Sequence, residues 1–368
     1  MAIAMKTYKI GVIGFAHMHV TSLVDYFLEL SNMEWVACAD TVPKVPSVST
    51  EPGTRAANLR YTVDKTGIER VYEDYREMLE KETFDIIIFC PENARHLEVA
   101  EAIAEKKVHM VTEKPMAESL SSALKMTKAA RKNNVKLIVN WPTTWSPSVR
   151  KVKELISAGE IGDVWQVKWR NGASMGPLAY GQKITDWEKG MEWWHQEDQG
   201  GGALLDYCCY GACLCRWFLE VPAISAYGIK ANFTSHYGDA EDNAVITVRF
   251  PSAMAILEAT WSTVNNGVPG GPLIYGTTGT IVVDGQKVYL YKERHTTTPT
   301  TTYEDLALPE NRNTVAKELI HHLETGESLH PTLDIPLNLD AMAILDAGIR
   351  SARSGKMELV NDVNWCIG

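Results

Sequence analysis

Between residues 8 and 140, short apolar runs rich in Val and Ile alternate with segments whose apolar positions recur at helical spacing. The runs YKIGVIG, EWVACAD, FDIIIFC, KVHMVTE and KLIVNW read as strands, whereas TSLVDYFLEL, YREMLEKE, ARHLEVAEAIAEK and SSALKMTKAARKN read as amphipathic helices. Such alternation predicts a parallel sheet with helices on both faces. The stretch 41–60, TVPKVPSVSTEPGTRAANLR, is richer in Pro, Ser and Thr and reads as a surface excursion after the second strand.

After residue 145 the pattern changes. A helix VRKVKELISAG and a strand DVWQVKWR are followed by an irregular Trp-rich stretch and a helix over about 201–219. Then come the runs ISAYGIKANF, NAVITVRF, AMAILEATW, PLIYGTTGTIVVDG and KVYLYKE, separated by turn residues, which predict an antiparallel sheet. Two helices, about 312–325 and 338–354, close the chain. The expected organisation is an α/β domain over residues 1–140 and an α+β domain on an open, mainly antiparallel sheet over 141–368. The C-terminal helices are free to pack back on the first domain.

The stretch GVIGFAHMHV, residues 11–20, supports two readings. A dinucleotide loop after a first strand carries three glycines, for the tight turn, for close approach to the pyrophosphate and for helix packing. Only Gly14 is kept; Ala16 and His19 occupy the other two positions. Asp40 ends the second strand, placed to accept hydrogen bonds from the adenosine ribose, and its charge would repel a 2′-phosphate, which favours NAD over NADP. The other reading takes His17 and His19 as metal ligands, with His96, His109, His195 or one of several Asp completing a site in a hydrolase barrel. A barrel needs eight strand–helix units, and this chain turns to antiparallel strands after about 160. The histidines also admit a structural role, capping the helix or filling space.

Charge and composition narrow the partners. A net charge of −10 provides no basic footprint for nucleic acid or an anionic membrane, so small molecules are expected. No apolar run approaches the ~20 residues of a bilayer span, and the first residues lack a secretory pattern, so a cytoplasmic location is expected. Of seven cysteines, Cys38, Cys90 and Cys366 are scattered, while Cys208, Cys209, Cys213 and Cys215 fall on one helix that turns them to different faces. They read as reduced, buried hydrophobes, and no metal is assigned.

Glu113-Lys114-Pro115, closing a strand and opening a helix, resembles the EKP motif of the Gfo/Idh/MocA (glucose-fructose oxidoreductase/inositol dehydrogenase) family. CPENARHLEVAEAIAEKKVHMV and GGGALLDYCCYGACLCRWFLE are similar to two further family segments, and the likeness spans nearly the whole chain. The resemblance implies a Rossmann domain followed by a substrate and oligomerisation domain. It implies NAD held by Gly14, Phe15, Ala16, His17, Asp40, Pro91, Asn93, His96, Glu113 and Lys114. Most members carry Asp-x-x-x-His on the second-domain helix; here Asp206 and Tyr210 stand four apart, like the tyrosine branch of the family. The implied chemistry gives Tyr210 the hydroxyl proton, Lys114 the developing alkoxide and the lowering of the tyrosine pKa, and Asp206 the orientation of substrate.

Seven of eleven tryptophans lie between 141 and 194. The stretches WPTTWSP and DWEKGMEWWHQEDQGGG are expected to border the crevice between the domains, where flat rings suit a sugar; Trp141, Trp145, Trp194 and His195 are the expected substrate contacts. The expected function is NAD-dependent hydride transfer to or from a hydroxyl-bearing carbon of a sugar, glycoside or polyol. A redox-neutral enzyme that retains NAD and cleaves glycosides through a keto sugar is the nearest alternative; a metal-dependent hydrolase and an NAD-binding regulator are further ones. A homodimer or homotetramer through the second-domain sheet is expected.

Overall fold

The computed structural model describes residues 6–172, 176–177, 184–264 and 270–360. Cys366 lies outside the described residues. The chain divides into two compact units. The first comprises Met1–Asn140, Gly181–Gly201 and Asn311–Ile335; the second comprises Trp141–Tyr180, Gly202–Glu310 and Pro336–Gly368.

The first stretch runs β1 (Tyr8–Phe15), α1 (Val20–Leu28), β2 (Met33–Ala39), α2 (Arg55–Thr66), β3 (Val71–Tyr72) and α3 (Tyr75–Lys81). It continues through β4 (Ile86–Cys90), α4 (His96–Glu105), β5 (His109–Glu113), α5 (Leu120–Lys132) and β6 (Leu137–Asn140). All six strands pair parallel in the order β3-β2-β1-β4-β5-β6. That is the doubly wound order whose ligands sit beyond the carboxyl ends of the strands. The central strands are buried on both faces, β4 along its whole length, which explains their unbroken Ile and Val runs.

From there the chain forms α6 (Pro147–Ser157), β7 (Val164–Gly172) and α7 (Asp186–Met191), then a π-helical turn over Leu204–Cys208 that leads into α8 (Cys209–Leu219). Seven strands follow: β8 (Ser225–Ala231), β9 (Asn243–Arg249), β10 (Met254–Thr260), β11 (Leu273–Gly276), β12 (Thr280–Asp284), β13 (Lys287–Tyr291) and β14 (Thr301–Tyr303). The helices α9 (Val315–Thr325) and α10 (Ile335–Ser354) and the short β15 (Glu358–Leu359) complete the described chain. The second sheet is ordered β14-β13-β12-β11-β7-β10-β9-β8-β15 and is antiparallel except for the parallel pair β7–β10. Its strands alternate, so one face is core and the other shows Trp165, Tyr227, Ile229, Val245 and Met254 to solvent.

Two sequence expectations need correction, and one alternative loses its scaffold. Residues 55–66, half of them in the expected surface excursion, form α2. Its buried positions are Arg55, Asn58 and Thr62, so its inner face is polar and gives no apolar stripe to read. The run PLIYGTTGTIVVDG is two strands, because Thr277-Thr278-Gly279 turns the chain between β11 and β12. The sheet order of neither unit is that of a (β/α)₈ barrel, which removes the scaffold the hydrolase reading required. Among the described residues no helix is long and apolar enough to cross a membrane.

Candidate functional site

At the end of β1 the chain must turn hard against β4. Gly14 has φ +80°, and a Cβ there would lie 2.7 Å from the backbone nitrogen of Pro91, so only glycine fits. The next amide, of Phe15, donates to Asp40 Oδ1 at 3.2 Å, which ties the loop to the end of β2. Arg55 Nη1 donates to the same oxygen at 2.5 Å, and its Nη2 pairs with Glu92.

His17 follows on the loop and is 1% exposed. Its Nδ1 accepts the backbone N–H of His19 at 3.2 Å. Burial, together with the charges of His19, Lys114 and His96, holds its pKa well below the ordinary 6.5, so the ring is neutral. A neutral imidazole that accepts at Nδ1 carries its hydrogen on Nε2, and that buried N–H has no partner among the described residues. His19 Nδ1 donates to Glu113 Oε2 at 3.0 Å, and Asn140 Nδ2 donates to the other oxygen of Glu113. The EKP segment is thereby fastened to the loop, with Lys114 buried beside Glu113.

Two further residues named from the sequence are held on the β4 side. Asn93 Nδ2 donates to the carbonyl of Gly200 at 2.8 Å. His96 Nδ1 donates to the carbonyl of Met116 at 3.0 Å, and burial lowers its pKa to about 4. Residues 192–200 cross the carboxyl ends of these strands. Ser47 Oγ donates to Glu192 at 2.9 Å, Trp193 Nε1 donates to the Ala16 carbonyl at 3.0 Å, and Lys44 pairs with Asp198. Trp193 and Trp194 stack at 3.9 Å between ring centres, and Trp194 meets the His17 ring edge-on at 4.8 Å. The structure thus places Trp194 against the loop between β1 and α1, with His195 buried next to it in sequence.

In the second unit, Asp206 lies in the π-helical turn and Tyr210 in the first turn of α8. Asp206 Oδ2 accepts the Trp261 indole N–H at 3.1 Å. Tyr210 lies between Trp141 and Trp169, each 5.9 Å away between ring centres. Trp141 Nε1 donates to Asn338 at 2.8 Å, and the half-buried Trp145 carries the Arg150 guanidinium over its ring. The six described cysteines are buried; burial pushes the thiols of Cys208, Cys213 and Cys215 up, so these three are packing groups.

The metal ligands suggested by sequence do not assemble as expected. His96 is engaged by Met116, and His109 accepts from the Lys136 amide at the far end of β5. His17 and His19 instead find Glu113, the three offering ligand atoms within 4.8 Å of one another. Two features work against a cation there: His19 and Glu113 already satisfy each other, and the positive charge of Lys114 bears on His17.

Residues 8–141 match the oxidoreductase family with an NAD-binding Rossmann fold, and residues 149–282 match the GFO/IDH/MocA C-terminal domain. The chain belongs to the GFO/IDH/MocA oxidoreductase family. It is similar to the uncharacterised oxidoreductase YrbE of Bacillus subtilis, 27% identical over 63% of this chain and 65% of that one. It is also similar to myo-inositol 2-dehydrogenase of Thermotoga maritima, 26% identical over 55% of this chain and 58% of the relative. These matches span somewhat under two thirds of the relatives' length. In fold it is similar to a levoglucosan dehydrogenase solved with NADH and levoglucosan, with TM-score 0.75, 18% identity, and coverage of 97% of this chain and 100% of that chain. The first unit of this family is an NAD-binding domain, and the residues fit that cofactor. Gly14 makes the tight turn against Pro91 at the end of β1, and His17 offers a buried donor that needs an acceptor.

Proposed function

We propose that this protein is an NAD-dependent oxidoreductase acting on a hydroxyl-bearing carbon of a sugar, glycoside or polyol. The observation that carries the reading is Lys114: a lysine 1% exposed at the end of β5, joined through Glu113 and His19 to the dinucleotide loop. Bound NAD supplies the acceptor for hydride. Lys114 stabilises the alkoxide that develops as the hydroxyl proton leaves, Tyr210 Oη takes that proton, and Asp206 orients the substrate. Asp206 is suited to that task because Trp261 fixes one of its oxygens. Gly14, Phe15, Ala16, His17, Asp40, Pro91, Asn93, His96, Glu113 and Lys114 form the cofactor side of the proposal. Trp141, Trp145, Trp194 and His195 form the substrate side, offering flat apolar faces with polar rims. NAD is preferred to NADP through Asp40. The exposed face of the second sheet, with Trp165, Tyr227, Ile229, Val245 and Met254, is proposed to pair with another copy of the chain.

The segment 192–200 supports a second reading, in which NAD is retained and the net reaction is redox-neutral. Its bonds to Ala16, Ser47, Lys44 and Asn93 close over the strand ends where a dinucleotide lies. The deciding experiment is native mass spectrometry with and without NAD, followed by an NADH absorbance screen over polyols, sugars and glycosides. A dinucleotide-sized increment with NADH formation supports the dehydrogenase. Product without net NADH supports the redox-neutral cycle. One divalent ion per chain with no dinucleotide bound would overturn both.

A further inference from the structure

The carboxylate at the end of β2 does not stand alone. Arg55, the first residue of α2, is 9% exposed and reaches Asp40 Oδ1 with Nη1 at 2.5 Å. The same nitrogen donates to the carbonyl of Thr41 at 3.2 Å and to its hydroxyl at 3.3 Å, while Nη2 is taken by Glu92. Glu92 is itself 2% exposed. Three charged groups therefore form a row, Asp40–Arg55–Glu92, with a net charge of −1.

An acid at this strand end receives the ribose hydroxyls of NAD, and a nearby arginine is what accommodates the 2′-phosphate of NADP. Here the acid and the arginine are already paired. With Asp40 and Arg55 alone, the local charge would be zero, and repulsion of a 2′-phosphate by Asp40 would be offset by attraction to the guanidinium. Glu92 changes both terms: it restores the negative charge and occupies the guanidinium nitrogen that Asp40 leaves open. We propose that Glu92 determines cofactor specificity by locking Arg55, so that the guanidinium cannot receive a 2′-phosphate and NAD is kept over NADP. The proposal rests on Asp40 facing the adenosine ribose, as in the reading above.

The test measures binding of four ligands by calorimetry: NAD, NADP, and the adenosine halves 5′-AMP and 2′,5′-ADP. Glu92→Gln retains the hydrogen bond and removes the charge. It is expected to tighten NADP and 2′,5′-ADP at least tenfold while NAD and 5′-AMP change less than threefold, with the melting temperature recording that the variant is folded. Adding Arg55→Met to Glu92→Gln is expected to abolish the gain. Arg55→Met alone leaves two unpaired carboxylates and is expected to weaken 2′,5′-ADP further while 5′-AMP is retained, which gives an independent arm if Glu92→Gln is unstable. An unchanged ratio of 2′,5′-ADP to 5′-AMP affinity in both single variants would overturn the lock. A wild-type protein that binds neither NAD nor 5′-AMP would instead overturn the placement of the ribose.

Discussion

The loop end of the first sheet and the start of α8 solve different problems. Around Gly14 the polar groups are dense and mutually engaged: Asp40 with Arg55, Arg55 with Glu92, His19 with Glu113, Glu113 with Asn140. Around Tyr210 the surroundings are aromatic, with the rings of Trp141 and Trp169 on either hand, and its helix carries buried cysteines and follows the turn in which Asp206 accepts from Trp261. A dinucleotide presents phosphates and hydroxyls at fixed places, and a paired charge network can be set to receive them. A sugar ring with one reacting hydroxyl needs flat apolar surface and few polar groups. The contrast teaches that the first region is built on paired charges and the second on aromatic shape around a single buried hydroxyl; under the proposed function, the first receives the cofactor and the second the substrate.

The largest test of this division removes the two groups proposed to react. Lys114→Met and Tyr210→Phe are each expected to lower kcat by roughly 10²-fold or more, while each variant still binds NAD. Near-normal turnover in both would remove the assigned chemistry.

Next in size is a pH effect confined to the charge-rich region. The His96 ring titrates at about 4 in the fold because burial disfavours its charged form, against an ordinary value of 6.5. The unfolded chain therefore takes up this proton first. The stabilisation is fully present above pH 6.5 and is lost as pH falls from there toward 4, by about 3 kcal/mol in all at 1.36 kcal/mol per unit. His17 contributes with the same sign. Urea unfolding at pH 7 and 4.5 should show a shallower dependence in His96→Gln; an identical slope would contradict the burial argument.

A smaller effect is expected from Gly14→Ala. The added Cβ meets the backbone of Pro91, and the positive φ strains any side chain, a cost of about 1–3 kcal/mol. NAD binding should fall at least tenfold in calorimetry while the environment of Tyr210 is unaffected. Least of all is expected from thiol reagents. The six described thiols are buried, so a native titration should register at most Cys366, whereas the denatured chain should register all seven.

The strands of the first sheet were legible because they are buried on both faces and read as uninterrupted Ile and Val runs. Gly14, Asp40, Glu113 and Lys114 were legible because turn geometry and a short motif mark them locally. Arg55 and Glu92 were not: they lie 37 positions apart, and nothing in either local sequence announces a buried pair. One signal was available in hindsight, an arginine 15 residues after the acid that ends β2. The π-helical turn at Asp206 was likewise invisible, since the apolar spacing of LLDYCCYG suits an α-helix equally well. The placement of WWH, residues 193–195, with the first unit depends on partners at Ala16, His17 and Ser47, which no periodicity reports.

The discontinuity of the first unit has a consequence for biosynthesis. Its sheet is complete at Asn140, yet the unit also includes residues 181–201 and 311–335. At about 5–20 residues per second, a ribosome needs roughly ten to forty seconds to supply the nearly 200 residues between the end of that sheet and Ile335. For roughly the first three to ten seconds of it, until residue 193 is made, the nascent chain has all six strands of the sheet but lacks Trp193 and its neighbours. Cofactor offered during translation would meet the loop before the segment that crosses it has been made.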